Sequence, residues 1–274
     1  MLLMLMGLLL GQPAGGHLIL IGGGKRPQSV MTQFFNLAGG AQAPILIVPT
    51  ASELADTGDF YTQQFKQDFG CQKVSVADVK TRADADRPEV VALFATAGGV
   101  FFAGGDQSRI TQAFLGSESL RVLRERYEKG GLVILGTSAG TACMSEWMLT
   151  GNGEFDRITA QNVEVVQGLG LVPHLILDQH FVARSRQNRL ISVVLEHPTL
   201  IGVGIDEATA LWIQPSGRME VIGEGWVQIY DARSALITQQ QRGESIHLGA
   251  KQINMHILQP GDAMDPREKS LILP

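Results

Sequence analysis

Three features of this chain could cooperate in acyl transfer: a serine between glycines, a histidine at the end of an apolar run, and two adjacent carboxylates. The serine is Ser138, in Gly136-Thr137-Ser138-Ala139-Gly140. This pentapeptide fits G-x-S-x-G, with an apolar run before it and a helix-compatible stretch after it. In a strand–turn–helix setting such a turn lifts the hydroxyl clear of a sheet. It also aims backbone N–H groups of the helix start at the same point, which favours a developing oxyanion. The pentapeptide alone is often matched by chance, and the competing reading is a tight β-α turn with a spectator serine.

A serine nucleophile needs a base, and the base needs an orienting group. The chain has six histidines. His17 opens a strand, His174 follows a proline in a loop, and His197 ends a helix before Pro198. His247 and His256 fall in hairpins near the end of the chain. His180 stands in "LILDQHF", where a strand-like run ends beside Asp178 and Gln179, and it is the candidate base. Asp206 and Glu207 interrupt the apolar segment "VGIDEATALWI". Two adjacent carboxylates are costly to bury without partners. Strand alternation sends them to opposite sides, so one of the two serves the site; the competing reading is a β-turn with both in water. In "ARSRQNR", Arg186 and Arg189 are three apart on a predicted helix and share a face. Paired guanidiniums bind carboxylates bidentately, although such runs more often form a solvated basic face.

These groups need a frame. "HLILIGGG" (17–24), "APILIVPTAS" (43–52), "KVSVADV", "GVFFAGGDQ" (99–107) and "LVILG" read as apolar strands running into turns. Between them lie segments of helical spacing: "SVMTQFFNLAGG", "DFYTQQFKQDFG" (59–70), "PEVVALFATA" (88–97) and "SLRVLRERYEKGG". The first, second and fourth stop at glycine. Strand–helix alternation with near-continuous apolar strands predicts an α/β fold: a mostly parallel sheet with helices on both faces. Loops at the carboxyl ends of such strands carry the chemistry, which places "GGGKRP", "PTASE", "GGDQ" and "GTSAG" at one end. "HLILDQHF" and "SRQNRLISVVLEH" continue the alternation. From Ser216 onward, "RMEVIGEGWVQIYDAR" and "SIHLGAKQINMHIL" read as antiparallel hairpin strands.

The 274 residues suit one large domain, taken as 17–274. A hydrophobic content of 45% supports a sizeable core, and a net charge of −5 leaves no basic footprint for nucleic acid. The two cysteines, Cys71 and Cys143, lack zinc-site spacing and read as buried or reduced thiols. The apolar leader (1–16), "MLLMLMGLLLG" and then "QPAGG", is too short to span a bilayer comfortably. It reads as an export signal without its basic start, which implies a secreted or periplasmic protein. The alternative is an apolar extension packed on the domain of a cytoplasmic protein. "GGGKRP" lacks the G-x-G-x-x-G spacing of a dinucleotide loop.

Together "GTSAG", "GGDQ", "DQHF" followed by "RSRQNRL", and "GIDEATA" resemble the cyanophycinases, serine exopeptidases related to the aspartyl dipeptidases. The resemblance covers roughly residues 17–250, with the motifs in the family's order. It implies a fold similar to class I glutamine amidotransferases. It puts the nucleophile at Ser138, the general base at His180 and the acid at Glu207. It puts the oxyanion hole at the N–H groups of Gly105 and Ala139. The substrate contacts it implies are Gln107, Asp178, Gln179, Arg186 and Arg189, with Asp178 answering an arginine head. The order Ser…His…Glu differs from the Ser…Asp/Glu…His order of α/β-hydrolases. The implied substrate is cyanophycin, a polyaspartate backbone bearing arginine on isopeptide links, released as β-Asp-Arg dipeptides. The family implies a homodimer and no metal or organic cofactor. The chain departs at Ile176, where a small polar residue is expected and one substrate hydrogen bond is therefore missing. It departs again at Lys25 and Arg26, in a loop expected to be acidic. These departures keep two rivals open, a dipeptidase for other aspartyl or β-aspartyl peptides and a non-catalytic binding module.

Overall fold

Each apolar run that alternates its side chains between two helical layers becomes a strand of one central sheet. The computed structural model describes residues 15–153 and 156–264; residues 1–14 of the leader and 265–274 lie outside them. The first half runs β1 (His17–Ile21), α1 (Gln28–Ala38), β2 (Pro44–Val48), α2 (Thr57–Phe69), β3 (Lys73–Val76), α3 (Arg82–Ala85), α4 (Pro88–Thr96) and β4 (Gly99–Phe102). Then come α5 (Gln107–Phe114), α6 (Glu118–Lys129), β5 (Val133–Thr137), α7 (Ala139–Ala142) and the paired strands β6 (Trp147–Gly153) and β7 (Val163–Gln167). The second half adds β8 (Leu175–Gln179), α8 (Gln187–Glu196), β9 (Ile201–Ile205), β10 (Thr209–Ile213), β11 (Met219–Gly223) and β12 (Val227–Asp231). It ends with β13 (Leu236–Arg242), β14 (Ser245–Lys251), β15 (Asn254–Leu258) and β16 (Ala263–Met264).

The central sheet has the order β16-β11-β10-β1-β5-β4-β2-β3. Strands β1 to β5 are parallel, and β10, β11 and β16 extend the sheet antiparallel. Strand periodicity divides the core. Leu18, Leu20, Leu46, Phe102 and Ile134 point to the face carrying Phe94, Phe114 and Leu123 of α4, α5 and α6. Ile19, Ile21, Ile45, Ile47 and Leu135 point to the face of Val30 and Phe34 of α1 and Phe65 of α2. Both faces are thus covered, as the parallel pattern requires. A second sheet, β15-β12-β9-β8, packs its Leu177, Val203 and Ile229 into the first core. Its other face meets α8 through Ile176, Leu190 and Val194.

Three expectations need correction. "IGVGIDEATALWI" is two strands in different sheets, β9 and β10, so Asp206 and Glu207 occupy the corner between them rather than a strand. Both strands of "RMEVIGEGWVQIYDAR" are antiparallel as expected but do not pair with each other: β11 forms a hairpin with β10, β12 pairs with β9 and β15, and β13 forms a hairpin with β14. The helix after Ser138 is a single turn, Ala139–Ala142, capped at Cys143. Its dipole is correspondingly small. Cys71 and Cys143 are buried free thiols. Among the described residues, no helix is long and apolar enough to cross a membrane.

Candidate active site

Carboxyl ends of strands from both sheets meet at one point. Register brings this about. Ile21 of β1 pairs with Thr137 of β5, so the loop 22–24 emerges beside Ser138. In the other sheet Gln179 pairs with Ile205, so His180 emerges beside Asp206 and Glu207. The main chain of the glycine loop joins the two ends. Gly22 O accepts from the His180 N–H at 2.7 Å, and Gly23 O accepts from the Ala208 N–H at 3.0 Å.

Ser138 sits in a strained elbow, φ 54° and ψ −115°. Such a conformation costs a non-glycine residue about 1–3 kcal/mol and persists only where its surroundings over-determine it. Here the Ser138 N–H donates to Ile21 O at 3.0 Å, and Ser138 O accepts from Thr141 and Ala142. The Thr141 hydroxyl is buried against Ile21 O and Gly136 O at 2.6 and 2.8 Å. The two flanking glycines are steric requirements. A Cβ on Gly136 would lie 2.2 Å from Gly140 O, and one on Gly140 would lie 2.3 Å from Phe102 O.

The Ser138 hydroxyl lies 2.9 Å from His180 Nε2, and His180 Nδ1 lies 2.5 Å from a Glu207 carboxylate oxygen. A carboxylate only accepts, so Nδ1 carries the proton and Nε2 is left to accept from the serine. Burial is the main influence on His180 and lowers its pKa, aided by the cations of Arg184 and Arg186. The Glu207 hydrogen bond and charge oppose this. Net, the imidazole is held neutral at neutral pH, so Nε2 is free to accept a proton. Asp206 does not touch the imidazole. One of its oxygens accepts from the N–H groups of Glu207 (2.8 Å) and Ala183 (3.3 Å), which ties the corner to the segment after His180. Of the two carboxylates, Glu207 is the one at the histidine.

The Gly104 backbone packs against Ser138: a Cβ there would be 3.3 Å from Ser138 Cβ and 3.8 Å from its Oγ. Gly105 follows Gly104 in that loop, and Ala139 follows Ser138 as the first residue of α7. Among the described residues neither N–H has a backbone or side-chain acceptor. Gln179 Oε1 lies 3.4 Å from Ser138 Oγ. A cleft of about 440 Å³ opens over the serine, bordered by Arg26, Asp56, Tyr61, Gly104, Ser138 and His180.

The remaining expected substrate contacts do not border this cleft. Gln107 is buried and donates to Leu149 O at 2.8 Å, holding α5 to β6. Asp178 is 0% and Arg189 1% exposed. Arg189 binds both Asp178 oxygens, and Arg186 donates to Gln179 O at 2.7 Å and to Asp178 at 3.4 Å. Burial and the charge of Arg189 pull the Arg186 pKa down to about 10, partly offset by Asp178, which leaves it a cation at neutral pH. "ARSRQNR" is therefore neither a substrate-facing helix face nor a solvated one. Its two inner arginines neutralise a buried carboxylate at the end of β8, and Asp178 cannot answer a substrate's arginine from there. Ile176 is likewise a core residue under α8, so no hydrogen bond in the cleft is lost by its being apolar. Sequence reasoning missed the role of the glycine loop. Gly23 approaches so closely that a Cβ there would lie 2.4 Å from the His180 ring; the triplet of glycines after β1 was the signal.

Residues 18–221 match peptidase family S51. The chain is 34% identical over 259 residues to a cyanophycinase of Nostoc sp. (strain PCC 7120 / SAG 25.82 / UTEX 2576), covering 93% of this chain and 87% of that protein. It is 35% identical over 257 residues to a cyanophycinase of Synechococcus elongatus, covering 92% and 80%. The crystal structure of a peptidase from an acI-B1 Actinobacterium shares the fold, with a TM-score of 0.68 over 93% of this chain and 98% of that one at 24% identity. With the match spanning most of the chain, and relatives aligned along nearly all of it, the chain belongs to peptidase family S51.

Proposed function

We propose that this chain is a serine exopeptidase that hydrolyses cyanophycin to β-Asp-Arg dipeptides through Ser138, His180 and Glu207. The observation that carries this reading is the continuous contact from the Ser138 hydroxyl through the His180 imidazole to the Glu207 carboxylate. The relatives named cyanophycinase support the substrate.

His180 Nε2 takes the Ser138 proton as Oγ attacks the backbone carbonyl of an aspartyl unit bearing an arginyl branch. The carbonyl oxygen becomes an oxyanion beside the Gly105 and Ala139 N–H groups, while Glu207 stabilises the imidazolium. His180 then protonates the leaving amine, the C–N bond breaks, and an acyl-enzyme remains. Water attacks the ester as His180 accepts its proton. Oγ departs and recovers that proton, releasing the acyl product as a free acid. Gln179, within reach of Oγ, contacts the bound substrate. The same reading includes a homodimer, which light scattering of the purified protein checks.

The test is to incubate the protein separately with cyanophycin and with short aspartyl and β-aspartyl peptides, and to identify products by mass. Soluble β-Asp-Arg from the polymer is expected. Ser138→Ala is expected to lower the rate by several orders of magnitude, because members of such a triad act as a unit. Turnover of short peptides alone would mark a dipeptidase. No turnover, together with no labelling of Ser138 by a serine-directed phosphonate, would mark a binding module.

A further inference from the structure

The cleft over Ser138 contains two opposite charges that the triad does not use. Arg26, just beyond the glycine loop, holds its guanidinium over the Tyr61 ring, 5.0 Å from the centroid. Asp56 precedes the first turn of α2 and borders the same cleft. Nearby charges are already matched: Glu53 with Arg109, and Lys25 with Glu224. Among the described residues, Arg26 and Asp56 form no ion pair with each other or with anything else, and the Asp56 side chain does not cap its helix.

A guanidinium stacked on a ring keeps its N–H edges available while losing much of its rotational freedom. It is arranged in advance for a carboxylate. The Asp56 carboxylate is the complementary acceptor for a guanidinium. Exposed Leu54 and Phe60 border the same cleft and offer apolar surface to a methylene chain. We propose that Arg26, supported by Tyr61, and Asp56 form a charge-paired subsite that selects an arginyl aspartate unit, carboxylate to Arg26 and guanidinium to Asp56. This rests on the function proposed above and assigns the arginine head to Asp56 in place of the buried Asp178. The carboxylate can come from the chain end or from the arginyl branch.

The test compares kcat/KM of wild type, Arg26→Gln and Asp56→Asn on four short oligomers of β-Asp-Arg. One is unmodified, one is amidated at the chain end, one is amidated at the arginyl carboxyls, and one carries citrulline for arginine. A charge-assisted contact at a partly exposed site is expected to be worth about tenfold. Arg26→Gln should therefore lose about tenfold on the unmodified oligomer and almost nothing on one of the two amides. The insensitive amide identifies which carboxylate is bound. Asp56→Asn should lose about tenfold on arginyl oligomers and almost nothing on the citrulline oligomer. Losses below twofold, or equal losses on all four, overturn the subsite while the peptidase reading stands. A wild type that cleaves none of the oligomers nor the polymer overturns both.

Discussion

Adding one methyl group at Gly23 tests whether the glycine loop sets the position of the base. The new Cβ would lie 2.4 Å from both Cε1 and Nε2 of His180. Carbon atoms in contact prefer about 3.5–4.0 Å, so the ring must retreat by about 1 Å or more. It cannot do so and keep both of its contacts, 2.9 Å to Ser138 and 2.5 Å to Glu207. The loop cannot yield easily either, because its carbonyls accept from His180 and Ala208, and Gly23 has φ +123°, which alanine does not readily adopt. A misplacement of about 1 Å at a reacting group costs roughly 10²-fold. Gly23→Ala is therefore expected to lower kcat about a hundredfold or more, with little change in KM. The phosphonate labelling rate of Ser138 should fall in parallel. Urea denaturation monitored by circular dichroism separates this from loss of fold. A variant that stays folded and keeps more than half of the wild-type kcat would refute the reasoning, because the loop would then not constrain the imidazole.

Three further outcomes follow from the charges around β8. Because the His180 pKa is lowered and the base must be neutral, the acid limb of kcat/KM should fall below the ordinary histidine value of 6.5. Arg184 contributes to that lowering, so Arg184→Gln should move the limb to higher pH; a limb above 6.5, or a shift downward, contradicts the assignment. Asp178→Asn removes the carboxylate shared by two buried guanidiniums and should destabilise the protein by about 3–5 kcal/mol in urea unfolding. A loss under about 1 kcal/mol would mean that this cluster is not structural.

The residues 132–140 and the strands around them were legible because their constraints are local. A strand buried on both faces reads as a continuous apolar run, and an elbow that lets Phe102 and Gly140 approach must carry glycines wherever it occurs. His180 was legible for a similar reason, as the polar end of an apolar strand. Glu207 was not separable from Asp206 by composition or alternation. The choice depends on the corner between β9 and β10, where Ala208 takes φ +52° and Asp206 is consumed by the N–H groups of Ala183 and Glu207.

The arginines illustrate the same boundary. Spacing put Arg186 and Arg189 on one side of a helix, but no local rule says which side faces the cleft. That depended on where β8 points Asp178. With its carboxylate wholly buried, a nearby cation had to be drawn in to neutralise it, and two were. The sequence by itself determined the parallel strands of the first half and the glycine-flanked elbow that carries Ser138, since these follow from backbone sterics and burial within short windows. Only the tertiary structure decided which carboxylate meets the imidazole and which charges face the cleft, because these depend on the register of two sheets that meet across more than a hundred residues of chain.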